Sequence, residues 1–380
     1  MIYLDNAATT AMFPECVDII NKYAVDEFFN PSALYAPALS VAKAVRTARE
    51  NVAKALGCNA DEIVFAASGS EADNFALSCG PRRKKGKIIV SAVEHAAVFN
   101  CAKAVADRGY ELEIAPCDAC GRVIFDKFVD VLDENVVLVS VMHVCNETGA
   151  LNDIRALCAE VRKRCPDAVF HSDGVQAFCK LSYSVKDLGV DLYSVSGHKI
   201  HAPKGIGALY ISPKLNLQPF VYGGGQERNL RSGTENVAGI CAFGYAAKRM
   251  RECADENFVS QKRLQKYLLD ALKERFGSLV RINTDEEHSC SHIVSFSFDG
   301  LRGEVMLHYL ESKGIIVGTG SACSSRKAAE RIPKALGLKG AFAEGTLRIS
   351  FCETNTQSDV EALVDALEEG VKALGKYRRI

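Results

Sequence analysis

VDLYSVSGHKIHAPKGIGALY, residues 190–210, consists of two apolar runs typical of strands and a loop between them that is rich in Gly, Ser, His and Lys. Lysines are usually solvated and Gly and Pro mark turns, so an exposed loop is the simplest interpretation of this stretch alone. The loop nevertheless places Ser196, His198 and Lys199 side by side at the end of a predicted strand. Their meaning depends on what else the chain places beside them.

The composition is that of an ordinary globular protein, with 380 residues, 48% hydrophobic and 24% charged residues and a net charge of -1. This balance argues against a nucleic-acid partner, because phosphate binding relies on an excess of Lys and Arg. The longest apolar run, VVLVSVMHV at 136–144, is too short to cross a bilayer and fits a buried strand. Since MIYLDNAATT at the N-terminus is neither basic nor strongly apolar, we expect a cytoplasmic protein with no membrane partner.

The 15 cysteines are scattered along the chain, which favours reduced, buried thiols over a disulfide framework. One pair, Cys117 and Cys120, has the CxxC spacing that zinc and redox sites use. No second pair follows at zinc-site spacing, so a chance pair in a turn is the favoured interpretation. We therefore assign no metal ligands from the sequence.

Short apolar runs alternate with stretches of helical period between about residues 61 and 210. The predicted strands are KIIVSAV, ELEIAP, VVLVSVMHV, AVFHSD, DLYSVSGH and GALYIS. This alternation predicts an α/β fold with a mostly parallel sheet and helices on both faces. Such sheets bind ligands at the carboxyl ends of their strands, so the candidate site is expected there.

The pattern changes after Gly239, and the chain is too long for one simple core. A long amphipathic stretch leads into the strand candidates HIVSFSF and TLRISF and the helix candidates around them. We expect a large domain over residues 14–252. A smaller α+β domain is expected to combine residues 253–380 with residues 1–13.

ASGSEADNFALS, residues 67–78, predicts a turn that opens a helix, with Ser70 as the N-cap ahead of two acidic residues. The free N–H groups at such a helix start favour an anion such as phosphate. By itself this signal is weak, because most capped helices bind nothing.

Asp173 and Lys199 each follow an apolar strand candidate. Asp173 is either a helix cap or a buried carboxylate that keeps a heterocyclic nitrogen protonated, as a pyridinium cofactor requires. A lysine with small polar neighbours is suited to a Schiff base with an aldehyde. A phosphate turn, a strand-end acid and a strand-end SxHK in that order describe a pyridoxal-phosphate site of the aminotransferase-like fold.

The chain resembles the cysteine desulfurases of the NifS/IscS group, which have the class-V aminotransferase-like fold (fold type I) and use pyridoxal 5'-phosphate. The resemblance covers nearly the whole chain. It rests on YLDNAATT, FNPSA, SEADN, VEHAAV, MHVCNETG, DGVQ, SGHKIHAPKGIGALY, GGGQE, RSGTEN and GTGSACSS. The last motif is the most diagnostic, because one subgroup has Ser-Ala-Cys at the catalytic cysteine.

The resemblance implies that Lys199 forms the Schiff base, Asp173 pairs with the ring nitrogen and His95 stacks on the ring. Without the other motifs, a satisfied core histidine would be the simpler interpretation of His95. Further contacts to the cofactor are implied for Gln176 at the ring hydroxyl, for Asn146, and for the phosphate shell of Gly69, Ser70, Ser196 and His198. Thr234 is implied to reach the phosphate from a second subunit, and Asn146 and Arg348 to hold the substrate carboxylate.

The implied enzyme is a homodimeric cysteine desulfurase that converts L-cysteine to L-alanine and leaves the sulfur on Cys323 as a persulfide. The sulfur acceptor would be an iron-sulfur scaffold, a tRNA-thiolation enzyme or another carrier protein. Two alternatives are a selenocysteine lyase, which shares most of the site, and a non-catalytic sulfur-relay scaffold of the same fold.

Several positions depart from the family pattern. They are Tyr35, Cys145, the turn at residues 68–70, His201 with Ala202, and Phe351 with Cys352 and Glu353. No essential group is lost by these departures. They leave the preferred substrate and the sulfur acceptor open.

Overall fold

The structure, a computed structural model, describes residues 1–81, 83, 85–319 and 331–375. The described helices are α1 (Pro14–Asn21), α2 (Ala36–Leu56), α3 (Gly69–Cys79), α4 (Ala96–Ala106), α5 (Phe125–Asp130), α6 (Ile154–Arg164), α7 (Val185–Leu188), α8 (Val237–Glu252), α9 (Ala254–Phe276), α10 (Gly303–Ser312), α11 (Arg331–Ala335), α12 (Ala341–Glu344) and α13 (Gln357–Leu374). Within these ranges, no helix combines the length and the apolar character needed to cross a bilayer.

The strands form three sheets. They are β1 (Ile2–Tyr3), β2 (Ile63–Ala66), β3 (Lys87–Ser91), β4 (Glu111–Ala115), β5 (Val136–Ser140), β6 (Val169–Asp173), β7 (Leu192–Ser196), β8 (Gly207–Ile211), β9 (Val280–Ile282), β10 (Ile293–Phe298), β11 (Ile315–Ile316) and β12 (Thr346–Ser350). The central sheet has the order β2-β8-β7-β6-β5-β3-β4. Only β8 runs against its two neighbours in this sheet. The predicted mostly parallel sheet is therefore confirmed.

The central strands are apolar because helices cover both faces of the sheet. Along β2, Ile63 and Phe65 point into a core shared with α2 and α8, and Val64 and Ala66 point into a second core shared with α3 and α4. Successive side chains of a strand alternate between faces, so a strand buried on both faces reads as a continuous apolar run. This explains the short apolar runs of the sequence.

A second, antiparallel sheet has the order β12-β10-β9. Its core includes apolar residues of α9, α10 and α13, and also Leu4 from the N-terminal segment. The same segment pairs β1 with β11, with Ile2 opposite Ile315. The domain boundary near residue 252 stays a prediction, which the separate cores on its two sides favour.

The fold brings several chain segments to one edge of the central sheet. Because β2, β3, β6 and β7 are parallel, their carboxyl ends meet at that edge. The turn before α3, the His95 segment, Asp173 and the Lys199 turn all follow these strand ends. This edge therefore holds the candidate site.

Candidate functional site

The first part of the site is the turn between β2 and α3. Ser68 is extended and its hydroxyl accepts a hydrogen bond from the Glu71 N–H at 3.1 Å, so Ser68 is the N-cap and the helix begins at Gly69. The predicted cap at Ser70 is therefore wrong. Ser70 already has helical geometry and is exposed, because the tight turn is completed two residues earlier.

This turn packs closely against the end of β7. A Cβ on Gly69 would lie 2.8 Å from Val175 Cγ2 and 3.3 Å from Ser196 Cβ, and a Cβ on Gly207 would lie 2.7 Å from the Ser68 carbonyl carbon. Ser196 Oγ is buried and has no hydrogen-bond partner among the described residues. A helix start beside an unsatisfied buried hydroxyl is suited to an anion.

Asp173, the last residue of β6, is 6% exposed, and its Oδ1 accepts a hydrogen bond from the Val175 N–H at 2.9 Å. Burial raises the pKa of this carboxyl, while the charge of His95, the Val175 hydrogen bond and the charge of Lys199 oppose the rise. A carboxylate in such a site is stabilised by a positive partner. The carboxylate is thus suited to hold a protonated ring nitrogen.

Lys199 ends a single helical turn, Gly197–Lys199, that follows β7. Its Nζ donates to the carbonyl oxygens of Ala7 at 2.5 Å and Ala8 at 2.6 Å. Gln176 Nε2 also donates to the Ala7 carbonyl, at 2.9 Å. The N-terminal segment therefore lies against the lysine turn, which the sequence analysis did not foresee.

Two histidines of the site are neutral at neutral pH. Burial lowers the pKa of His198 to about 4, and its Nδ1 lies 3.2 Å from Thr9 Oγ1. Burial also lowers the pKa of His95, whose Nδ1 accepts a hydrogen bond from the Ala97 N–H at 3.1 Å. Because Nδ1 of His95 is an acceptor, the ring proton of the neutral form is on Nε2.

Arg348 and Asn146, predicted to hold a substrate carboxylate, do come together. Arg348 lies on β12 and is 7% exposed, and its Nη1 donates to the Asn146 backbone oxygen at 2.9 Å. Arg348 Nη2 donates to Asp5 Oδ1 at 2.8 Å. Sequence reasoning gave Asp5 no role, although its motif YLDNAATT was part of the resemblance.

The structure places two other predicted residues less directly. Thr234 is exposed, in a segment where Arg231 Nε donates to Glu71 Oε1 of α3 at 2.8 Å. The segment thus lies close to the start of α3. Cys323 falls outside the described residues, so its role rests on the sequence alone.

These residues fit pyridoxal 5'-phosphate. The start of α3 and the unsatisfied Ser196 hydroxyl offer donors to a phosphate. Asp173 offers a buried carboxylate to a ring nitrogen, and Lys199 offers an amine on the adjacent strand end. The four groups lie at the same edge of one sheet, which a single cofactor of this kind requires.

Comparison with known proteins agrees with this geometry. The model of the family described as aminotransferase class-V matches residues 2–363. A protein of Trichormus azollae named cysteine desulfurase is 36% identical over 377 residues, which cover 98% of this chain and 94% of that protein.

Solved structures show the same similarity. One, titled NifS-like protein, superposes with a TM-score of 0.92 at 31% identity and covers 98% of this chain and 100% of that chain. Another, titled SspA in complex with cysteine, has a TM-score of 0.80 at 29% identity, with coverage of 94% and 100%. Both likenesses extend over nearly the whole fold.

Proposed function

Because the chain belongs to the class-V aminotransferase family, we propose that it is a pyridoxal-phosphate-dependent cysteine desulfurase that converts L-cysteine to L-alanine. Its relative from T. azollae has that activity as its name, and one structural neighbour is described with cysteine. These names favour cysteine over selenocysteine as the substrate.

The observation that carries the proposal is the carboxyl edge of the parallel sheet. There the Gly69 turn, Asp173 and Lys199 follow β2, β6 and β7. Ser196 Oγ, buried and without a partner in the described ranges, faces the same turn. An anion, a cation and an electrophilic carbonyl could all be held at this edge by these three groups.

When bound, pyridoxal phosphate supplies an electron sink for the bonds around the substrate's alpha carbon. The start of α3, Ser196 and His198 would hold its phosphate. Asp173 would keep its ring nitrogen protonated, and His95, whose ring is neutral, would stack on its face. The buried carboxylate therefore sets the strength of the electron sink.

Arg348 and Asn146 would fix the substrate by its carboxylate. A guanidinium binds a carboxylate through two parallel hydrogen bonds, so the substrate can exchange with the Asp5 carboxylate at Arg348. The alpha carbon then faces the amine of Lys199. Lys199 takes the proton from this carbon and returns it where alanine is completed.

Cys323 would take the sulfur. Its thiolate attacks the sulfur of L-cysteine, so an S–S bond forms as the C–S bond of the substrate breaks. The persulfide on Cys323 then passes its outer sulfur to an acceptor protein, such as an iron-sulfur scaffold or a tRNA-thiolation enzyme. The balanced products are L-alanine and one persulfide per turnover.

A homodimer accounts for an apolar surface near the N-terminus. Phe28, Leu34, Tyr35 and Leu39 are 68%, 97%, 52% and 61% exposed, more than a lone soluble surface usually leaves in one short stretch. Most oligomers of identical chains are two-fold dimers, whose interface uses the same patch on both subunits. In such a dimer the exposed Thr234 would reach the partner's phosphate.

Exchange of Lys199 tests the proposed chemistry. We expect Lys199→Ala to abolish alanine formation from L-cysteine, whereas the matched change Lys204→Ala, at an exposed lysine of the same loop, leaves it intact. Borohydride treatment and peptide mapping of the parent protein should place the pyridoxyl group on Lys199. A label on Lys204, or full activity of Lys199→Ala, would contradict the assignment.

A further inference from the structure

Two of the departures from the family pattern meet in space. His201 follows the lysine turn, whereas Cys352 and Glu353 follow β12, far away in the sequence. One ligand atom of each residue, the His nitrogen, the Cys sulfur and a Glu oxygen, lies within 4.8 Å of the other two. A nitrogen, a sulfur and an oxygen donor thus converge on one point.

The hydrogen bonding of His201 leaves its second nitrogen facing this point. His201 Nδ1 lies 2.7 Å from the Ala11 carbonyl oxygen, which can only accept, so Nδ1 carries the proton. In the neutral ring Nε2 is then a lone-pair donor, and it lies 3.1 Å from Glu353 Oε2. Metal-binding histidines are oriented in this way, with the other ring N–H on a backbone carbonyl.

The position of His201 is fixed by its surroundings. The residue is 5% exposed, and its ring stacks on Phe13 with centroids 4.5 Å apart. Its φ of +64° is uncommon for a residue other than Gly, Asn or Asp. The imidazole is therefore held in place by packing against the core and by the Ala11 hydrogen bond.

A small cavity lies beside the three donors. It is lined by His201, Cys352, Glu353 and Lys199, among others, and has about 10 Å³ of space for the centre of a water-sized species. This is about the space that a single water molecule or ion requires. Glu353 Oε2 is buried and accepts no well-directed hydrogen bond from the described residues. Lys180 also lines the cavity, but its Nζ donates to Gln176 Oε1 at 3.3 Å.

The donor set selects the kind of ion. Magnesium and calcium prefer oxygen ligands alone, whereas zinc accepts histidine nitrogen, thiolate sulfur and carboxylate oxygen. We propose that His201, Cys352 and Glu353 bind one zinc ion beside the lysine turn, with its fourth position open to water. On binding, the Cys352 thiol gives up its proton to solvent, and no electron transfer is involved.

The ion would join two parts of the fold. Ile200 and Ala202, on either side of His201, belong to the core of the central sheet. Phe351, next to Cys352, belongs to the core of the second sheet. Zinc at this point therefore ties the lysine turn to the strand that carries Arg348, and it stabilises the protein by binding only the folded state.

Zinc retention tests the site directly. The holoenzyme is prepared as the Cys323→Ser variant, so that the proposed sulfur-carrying thiol cannot bind the metal. After chelator treatment, one equivalent of zinc chloride and desalting, elemental analysis should find about one zinc per chain. Adding Cys352→Ser or His201→Asn should weaken zinc binding about tenfold or more, since Asn tolerates the positive φ at residue 201.

A matched control and a second readout complete the test. Cys120→Ser, at a partly buried cysteine of the CxxC pair, should retain zinc like its parent. Cobalt(II) in place of zinc should give the visible bands of a tetrahedral thiolate site, and Cys352→Ser should remove them. Failure to retain zinc, or equal retention and equal spectra with Cys352→Ser, would overturn the proposal and leave His201 and Glu353 as an ion pair.

Discussion

Asp173 shows how strongly the chemistry of a single residue depends on burial. We predict that Asp173→Asn lowers turnover about a hundredfold or more, on the scale of other preorganised electrostatic groups. The change in stability should stay near 1 kcal/mol, the value of a helix cap, because the amide oxygen can still accept the Val175 hydrogen bond. Alanine formation and chemical unfolding measure the two effects. Parent-like turnover in a folded Asp173→Asn protein would refute the role of the carboxylate.

Glu94 is a second buried acid of the site. Burial raises its pKa to about 8, and its Oε1 accepts hydrogen bonds from Ser91 Oγ and the Met142 N–H. An acid whose pKa is raised by folding binds a proton in the native state that the unfolded state has already lost. Its contribution to stability is therefore fully present below the unfolded pKa of 4.5 and is lost as the pH rises through about 8.

The variant Glu94→Gln should remove this dependence. Gln is neutral at every pH and keeps the oxygen that accepts both hydrogen bonds, so we predict a smaller fall in thermal stability between pH 5 and 8.5 than in the parent protein. Melting temperatures of the two proteins across this range make the comparison. Identical pH profiles would show that Glu94 does not titrate in this window.

At the scale of elements, the start of α3 is the part that tolerates least change. We predict that Gly69→Ala weakens cofactor binding, because the new Cβ would lie 2.8 Å from Val175 Cγ2 and 3.3 Å from Ser196 Cβ. Gly375→Ala is the matched control, since its Cβ would meet no atom within 4 Å and its φ is -59°. Titration of the stripped proteins with pyridoxal phosphate compares the affinities. Equal affinity in the two variants would show that the cradle does not bind the phosphate.

The elements themselves could largely be predicted from the sequence. The apolar runs KIIVSAV and VVLVSVMHV coincide with β3 and β5, because burial on both faces leaves an uninterrupted apolar signal. The cap of α3 could not be placed, since Ser68 and Ser70 are both suitable residues and only the backbone decides between them. Contacts such as Arg348 with Asp5, and His201 with Glu353, join distant segments and leave no local pattern.

At the scale of the whole molecule, the apolar surface around Leu34 predicts the assembly. Leu34→Glu should weaken the dimer, because burying an unpaired carboxylate is costly, and activity should fall as the partner's Thr234 is lost from the site. Val305→Glu is the control, since Val305 is an exposed apolar residue on α10, outside this surface. Analytical ultracentrifugation gives the oligomeric state. A dimeric Leu34→Glu, or an active monomer of the parent protein, would contradict this assembly.

The central claim is that sulfur passes from L-cysteine to Cys323, and mass spectrometry of the protein after a single turnover tests it most directly. The parent protein should yield equal amounts of alanine and of Cys323 persulfide, and so should Cys253→Ser, a control at an exposed cysteine. Cys323→Ser should bind L-cysteine but form neither product. Alanine formation by Cys323→Ser at the parent rate would contradict the account and indicate an enzyme that releases free sulfide.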